Sequence, residues 1–269
     1  MSALSLQLDT PDLAQHYERV SFDRQFQAGQ RLIERLGVAS GEHVLDVGSG
    51  TGLLAEHVAG IVGPRGSVLG IDPLPLRIEI ARRKARANLS FAVGDARRLD
   101  ELAEGSFDVV YLNAVFHWLP EKTGPLRQFL RVLRPGGRLG ISTGSKDHVS
   151  LVQQLRRSVL SRAPYRDYPE SEAGFAHRVS QRELHELLEQ AGFGSIAVDL
   201  VPHVQFQPSA EAAVDFAQAS SFGNFLSHLP DDLRQNARAE ILRELERSRS
   251  AEGIRQESQR LVATAFKPR

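Results

Sequence analysis

Cysteine is missing from all 269 residues. That excludes disulfides, zinc–thiolate centres and cysteine nucleophiles together. None of the nine histidines falls into an H-E-x-x-H pattern, so a zinc hydrolase has no support and no metal site is expected. No Gly-Lys pair occurs, which excludes a phosphate-cradling P-loop. The chain has no excess charge of either sign: 33 basic and 33 acidic residues cancel, so no global field draws in nucleic acid or an anionic membrane. Long apolar runs are lacking too, and Met1-Ser-Ala-Leu-Ser lacks the basic start and apolar core of a signal peptide. These absences predict a cytoplasmic protein with no membrane insertion and no nucleic-acid partner. Lysine is scarce beside arginine, and nothing in the sequence explains that bias.

What the chain does have is concentrated in Val44–Gly52, V-L-D-V-G-S-G-T-G. An apolar run enters glycines at 48, 50 and 52, and Leu53, Leu54, Val58 and Ile61 then recur at helical spacing. That pattern is a buried strand, a tight glycine turn and the start of an amphipathic helix. Such a turn lets a ligand approach the main chain, and the helix start favours a carboxylate or phosphate.

The pattern then alternates. Strands are predicted at 43–47, 67–71, 90–93, 107–112 and 138–143, with helices at 52–62, 75–87 and 122–133 between them. Strands separated by helices of this length imply βαβ units and a doubly wound parallel sheet. Ligands of such sheets bind at the strands' carboxyl ends, where the glycine loop, Asp72, Asp95 and Asn113 all fall. Residues 1–40 are predicted to form an N-terminal helical segment, with Leu13, Tyr17, Val20, Phe22 and Phe26 on its apolar positions, and residues 41–145 the binding core. Residues 146–269 complete the same domain, with helical cap insertions at about 147–177 and 208–250 and late strands at 195–201 and 261–266, the last antiparallel.

Asp72 lies 20 residues beyond Gly52, the distance at which an acidic side chain meets ribose hydroxyls. A dinucleotide loop requires G-x-G-x-x-G/A, and Leu53 occupies its third position, so that fingerprint fails. The loop together with G-I-D-P at 70–73, G-D-A at 94–96, F-D-V-V-Y-L-N-A-V-F-H-W-L-P at 107–120 and L-R-P-G-G at 133–137 resembles the class I S-adenosylmethionine-dependent methyltransferases. The resemblance covers roughly residues 40–145. N-A-V-F-H-W-L-P and the F-G-N-F-L…L-P-D-D-L-R segment at 222–234 are similar to small-molecule enzymes of the trans-aconitate and ubiquinone/menaquinone methyltransferase type.

The resemblance implies a Rossmann-like seven-stranded α/β sheet with S-adenosyl-L-methionine as cofactor and in-line methyl transfer to an oxygen, nitrogen or carbon of a small-molecule acceptor. A monomer or homodimer is expected. The main chain of Gly48, Ser49, Gly50 and Gly52 would face the methionine part. Asp46 would hold its ammonium or brace the turn; Asp72, followed by Pro73, would accept from the ribose or cap a helix. Gly94, Asp95 and Ala96 would meet the adenine, and Asn113 would sit beneath the sulfonium. His117 is either a general base or a packed histidine. Trp118 reads as wall or core, and Tyr17 as a lid residue or a plain staple. Tyr165 and Tyr168 sit in a loop that either lines a lid or stays on the surface. Two other readings stay open: a cofactor-binding enzyme of non-methylating chemistry such as cyclisation, and a nucleotide-binding oxidoreductase.

Overall fold

The computed structural model describes residues 9–21, 25–169, 176–223 and 225–269. Met1–Ser5, Phe22, Asn224 and residues 170–175 of the predicted insertion lie outside the described residues, as does the Val20 side chain. Helices α1 (Pro11–Ser21) and α2 (Gln27–Leu36) precede β1 (His43–Val47). The Rossmann-like half follows as α3 (Leu53–Val62), β2 (Ser67–Asp72), α4 (Pro75–Arg82), β3 (Leu89–Val93), β4 (Phe107–Asn113), α5 (Thr123–Val132) and β5 (Leu133–Gly144). Beyond it come α6 (Leu151–Leu160), α7 (Gln181–Gln190), β6 (Gly194–Gln207), α8 (Ala210–Ser220), α9 (Asp231–Arg247), the two-residue β7 (Arg249–Ser250) and β8 (Gly253–Phe266).

The sheet order is β3-β2-β1-β4-β5-β8-β6, with β7 paired to β8 outside this path. β1 to β5 run parallel, and β8 is antiparallel to both β5 and β6. The last strand is therefore antiparallel, as the sequence predicts, but it is inserted one position inside the edge, with β6 outermost. The strand order reverses between β1 and β4, and this switch point opens the crevice where doubly wound sheets hold ligands.

Several boundaries differ from the periodic reading. α4 ends at Arg82, five residues short of the expected 87, because turns at Lys84 and Ala85 lead into a bridge between Arg86 and Leu89. α6 starts at Leu151, four residues late, once the chain has left the Ser145 bridge to Val179. β6 and β8 are each 14 residues long, twice the expected length. Their inner halves pair with the sheet, and their outer halves, His203–Gln207 against Ile254–Ser258, continue as a two-stranded arm. Alternation of polar and apolar residues along V-P-H-V-Q-F-Q conceals this arm from a search for buried strands.

Three apolar clusters result. One face of the sheet packs Leu45, Val110, Leu112 and Phe116 against α5 and α7. The other packs Val44, Val109 and Tyr111 against α2, α3 and α4. A third, built from Val152, Val159, Val214, Phe225, Ile241 and Ile254, belongs to the cap helices α6, α8 and α9 and the arm alone. Among the described residues no helix is long and apolar enough to cross a membrane.

Candidate active site

β1 delivers the chain into the glycine turn. The Gly48 and Ser49 amides both donate to the Ile71 carbonyl, at 2.7 and 2.9 Å, which ties the turn to β2. Gly48, Gly50 and Gly52 all have positive φ (76°, 54° and 86°). A side chain at Gly48 would meet Val115 at 2.3 Å, and one at Gly52 would meet the Phe91 ring at 2.7 Å, so space and backbone both demand glycine. Gly50 is open except towards Tyr17, 3.5 Å away.

Two carboxylates border this turn, and a third, Asp95, lies just past the end of β3. Asp46, 3% exposed, accepts a 2.7 Å hydrogen bond from the Tyr111 hydroxyl, and burial raises its pKa to about 7 against the effect of that bond, with the Asp72 charge adding to the rise. Asp72 accepts from the Gly50 and Leu74 amides, each at 2.9 Å, and burial raises its pKa too. It thus joins the glycine turn to the start of α4. Asp95 is half-exposed and gripped by the Arg97 guanidinium and amide; those bonds outweigh burial and lower its pKa. Ala96 is buried, Gly94 half-buried and Pro73 exposed.

Asn113 ends β4. Its amide donates to the Gln25 carbonyl at 2.8 Å, and its oxygen accepts from Arg260 at 3.3 Å. Ala114 next to it has φ 61°, a conformation rare outside glycine, which turns the chain sharply out of the strand. A 3-10 turn at Phe116–Trp118 follows, fastened by the buried Lys122 ammonium, which donates to the Phe116 carbonyl at 2.7 Å and to that of Leu119. This clamp sets His117 against Thr143, with 2.9 Å between Nδ1 and the hydroxyl. Burial first, then the Arg178, Arg260 and Lys122 charges, hold the His117 pKa well below the ordinary imidazole value. The ring is neutral at pH 7.

The site divides into two cavities. A smaller one, about 50 Å³, is lined by Asp46, Gly48, Ser49, Thr51, Leu54 and Asn113 among others. A larger one, about 220 Å³, lies between the ends of β4 and β5, the arm and the cap, and Ala114, His117 and Trp118 border it. Tyr17 and Gln25 line both, and the Tyr17 hydroxyl donates to the Gln25 side chain. Tyr17 is held from behind by Arg77, whose guanidinium lies 4.0 Å from the centre of its ring and 4.7 Å from that of Phe222. Arg77 is 2% exposed and pairs with Asp9 at 3.2 Å. The predicted trio Tyr17, His117 and Trp118 is therefore brought to one cavity, while Tyr165 and Tyr168 sit elsewhere. Tyr165 is buried in the cap with its hydroxyl on Glu240, and Tyr168 is exposed.

Arg178, Arg260 and Gln256 also line the larger cavity, and the sequence reading passed over all three. Arg260 had a visible signal. It precedes the final apolar strand, and in an antiparallel last strand the amino-terminal end meets the carboxyl ends of the parallel strands.

The residues fit an adenosyl-methionine ligand. The Ser49 hydroxyl is buried without a hydrogen-bond partner among the described residues, on a turn where Gly48 and Gly52 leave no room for a side chain, and Asp46, Asp72 and Asp95 lie at or just past the ends of the first three strands. A family model for the methyltransferase domain matches residues 39–192, and the chain belongs to this family, the class I S-adenosylmethionine-dependent methyltransferases of the small-molecule branch. Among curated relatives it is 33% identical over 210 residues to an arsenite methyltransferase of Halobacterium salinarum, covering 75% of this chain and 48% of that protein. It is 28% identical over 204 residues to a demethylmenaquinone methyltransferase of Lactobacillus johnsonii, covering 69% and 83%. The chain thus spans about half the length of the first relative and most of the second. The fold superposes on Haemonchus contortus phosphoethanolamine N-methyltransferase 2 in complex with S-adenosyl-L-methionine with a TM-score of 0.63 at 18% identity, over 97% of this chain and 58% of that one.

Proposed function

We propose that this protein transfers a methyl group from S-adenosylmethionine to a small-molecule acceptor. The observation that carries the reading is the paired cavity: one chamber on the glycine turn, a larger one under the cap, joined at Tyr17, Gln25 and the Asn113–Ala114 corner. A methyl transferase needs donor and acceptor in two adjoining compartments with a shared wall.

The cofactor supplies an electrophilic methyl on a sulfonium that leaves readily. Around it, the Gly48–Gly52 amides and the Ser49 hydroxyl take the methionine carboxylate, and Asp46 takes the ammonium. Asp72 takes the ribose hydroxyls, exchanging its bonds to the turn for the ligand. Gly94, Asp95 and Ala96 take the adenine, with Pro73 at the rim, and Asn113 forms the floor. Positioning supplies most of the rate, since near-attack placement is worth on the order of 7–11 kcal/mol. Neutral His117, held by Thr143, is available as the base for an acceptor that must lose a proton. The N-terminal helices on one side and the cap helices α6, α8 and α9 on the other serve as the two halves of a lid over the 41–145 core.

Absence of cysteine argues against arsenite as acceptor, because a soft arsenic(III) centre calls for thiolate ligands that this chain does not have. Balanced charge favours a small molecule over nucleic acid. A thermal-shift comparison tests the cofactor assignment. S-adenosylhomocysteine at about 100 times its Kd adds about 2.7 kcal/mol, a shift of roughly 5–10 °C, and NAD adds nothing. Stabilisation by NAD alone would return the protein to the oxidoreductases. Binding without release of S-adenosylhomocysteine, in the presence of any acceptor that is turned over, would indicate non-methylating chemistry.

A further inference from the structure

The larger cavity has an unusual charge balance. Its described lining includes four arginines, Arg156, which donates to the Phe225 carbonyl at 2.7 Å, and Arg157, Arg178 and Arg260, and no described aspartate or glutamate. Two other arginines packed into the protein carry carboxylates: Arg77 pairs with Asp9 and Arg138 with Glu42. Arg260 instead spends its guanidinium on neutral oxygens, Ser142 Oγ at 3.1 Å and Asn113 Oδ1 at 3.3 Å.

Two of these arginines converge. Arg260 is the register partner of Gly144 across β5 and β8. The Arg178 guanidine Nε lies 3.1 Å from where a Gly144 side chain would begin. Burial, joined by repulsion from Arg157, brings Arg178 down to about 10, and burial does the same to Arg260; both remain cations at neutral pH. Gln256 is 4% exposed, lines the same cavity, and its Nε2 donor has no partner. Three donors with no anion among the described residues to serve thus line one cavity, and Trp118, Phe222 and Phe225 supply apolar surface in it. Burying guanidinium charge is unfavourable unless an opposite charge arrives, and guanidinium matches the planar geometry of a carboxylate.

We propose that the methyl acceptor is an amphipathic carboxylate, its carboxylate bound by Arg178 and Arg260 with the Gln256 amide, and its apolar body against Trp118, Phe222 and Phe225. This rests on the reading of the larger cavity as the acceptor site. It also gives His117 its setting: burial, helped by the two flanking cations, keeps the imidazole neutral while the carboxylate is directed to the guanidiniums and not to the ring.

The test is a thermal-shift titration of the cofactor-free protein with benzoate and hexanoate, against benzamide, hexanamide and sodium sulfate at equal ionic strength. At least one carboxylate raises the Tm in a saturable way, and its amide does not. Arg178→Gln and Arg260→Gln each abolish that response, and each raises the Tm of the ligand-free protein by removing an uncompensated cation. A rise in Tm also establishes that the variant folds. Equal stabilisation by amide or sulfate, a carboxylate response that survives both substitutions, or no response to either carboxylate overturns the proposal. The wild-type response to S-adenosylhomocysteine is read separately: present without any carboxylate response, it refutes the anion site alone; absent, it refutes the methyltransferase reading.

Discussion

Asp46 is placed where two demands conflict. It must be buried to sit under the glycine turn, yet a ligand ammonium is held best by a full negative charge. Burial wins in the free protein, where its pKa stands near 7 against an ordinary 3.8. Between about pH 4 and 7 the folded state therefore holds a proton that the unfolded chain has lost. Stability is highest below that window and falls as pH rises through it, by at most roughly 4 kcal/mol at about 1.4 kcal/mol per pH unit. Asp72 is shifted the same way, so one substitution removes only part of the slope. Asp46→Asn keeps an oxygen for the Tyr111 hydroxyl and never ionises. Calorimetry at pH 5 and pH 8 should find it more stable than wild type at both, and by the larger margin at the higher. Affinity for S-adenosylhomocysteine in the wild type should rise between pH 6 and 8, and that rise should vanish in the variant. A variant less stable than wild type at pH 8 would mean that the carboxylate is needed as a charge by the fold itself.

At the scale of elements, the β1–turn–α3 unit carries its own test, because it contains two glycines of opposite kind. Gly52 has φ 86° and faces the Phe91 ring, whereas Gly60 lies within α3 with nothing near its missing side chain. Gly52→Ala should cost about 2–4 kcal/mol from the left-handed backbone and the clash combined. Gly60→Ala should stabilise by roughly 0.5–1 kcal/mol through helix propensity. Urea unfolding reads both, and similar values for the two would remove the case for a sterically defined cradle. Such local demands explain what the sequence made legible. The loop, the strand ends at Asp72, Asp95 and Asn113, and the parallel order all follow from glycine spacing and apolar period, which are short-range signals. Tyr17 stands out from its place on the helix before β1, His117 and Trp118 from following Asn113, and the fold brings the three to one cavity. The cationic end of that cavity was not legible. Arg178 precedes α7, Arg260 sits in β8, and they meet only because β8 is inserted antiparallel beside β5. No periodicity within either segment encodes that meeting. The length of the arm escaped for a related reason: its outer half pairs with itself beyond the sheet, so neither strand shows a buried run.

Across the whole molecule, the sheet and the cap have separate cores. The cap's apolar cluster draws on α6, α8, α9 and the arm, while the two sheet clusters draw on the strands and the helices flanking them. Connections between cap and core run through the β6–β8 arm, through α1, which packs on both α8 and α4, through Arg77, which donates to the Ala219 carbonyl at 3.2 Å, and through the Trp118–Phe222 ring contact at 5.0 Å. A unit with an apolar core of its own should open with its own free energy, below that of global unfolding. Ile241, fully buried in α9, belongs to the cap cluster and to neither sheet cluster. Ile241→Ala should cost about 2–5 kcal/mol within the cap. Hydrogen exchange should then speed up across α6, α8 and α9 while the β1 and β4 amides keep their protection. Because Asp46, Asp72 and the glycine turn lie in the core, S-adenosylhomocysteine should still bind, weakened only by what Tyr17 loses with Phe222 no longer held against Arg77. Carboxylate probes should bind much less well, since Gln256 sits on the arm and Arg156 on α6. Uniform acceleration of exchange over all strands would show that cap and core unfold as one, and the acceptor cavity would then be as rigid as the sheet beneath it.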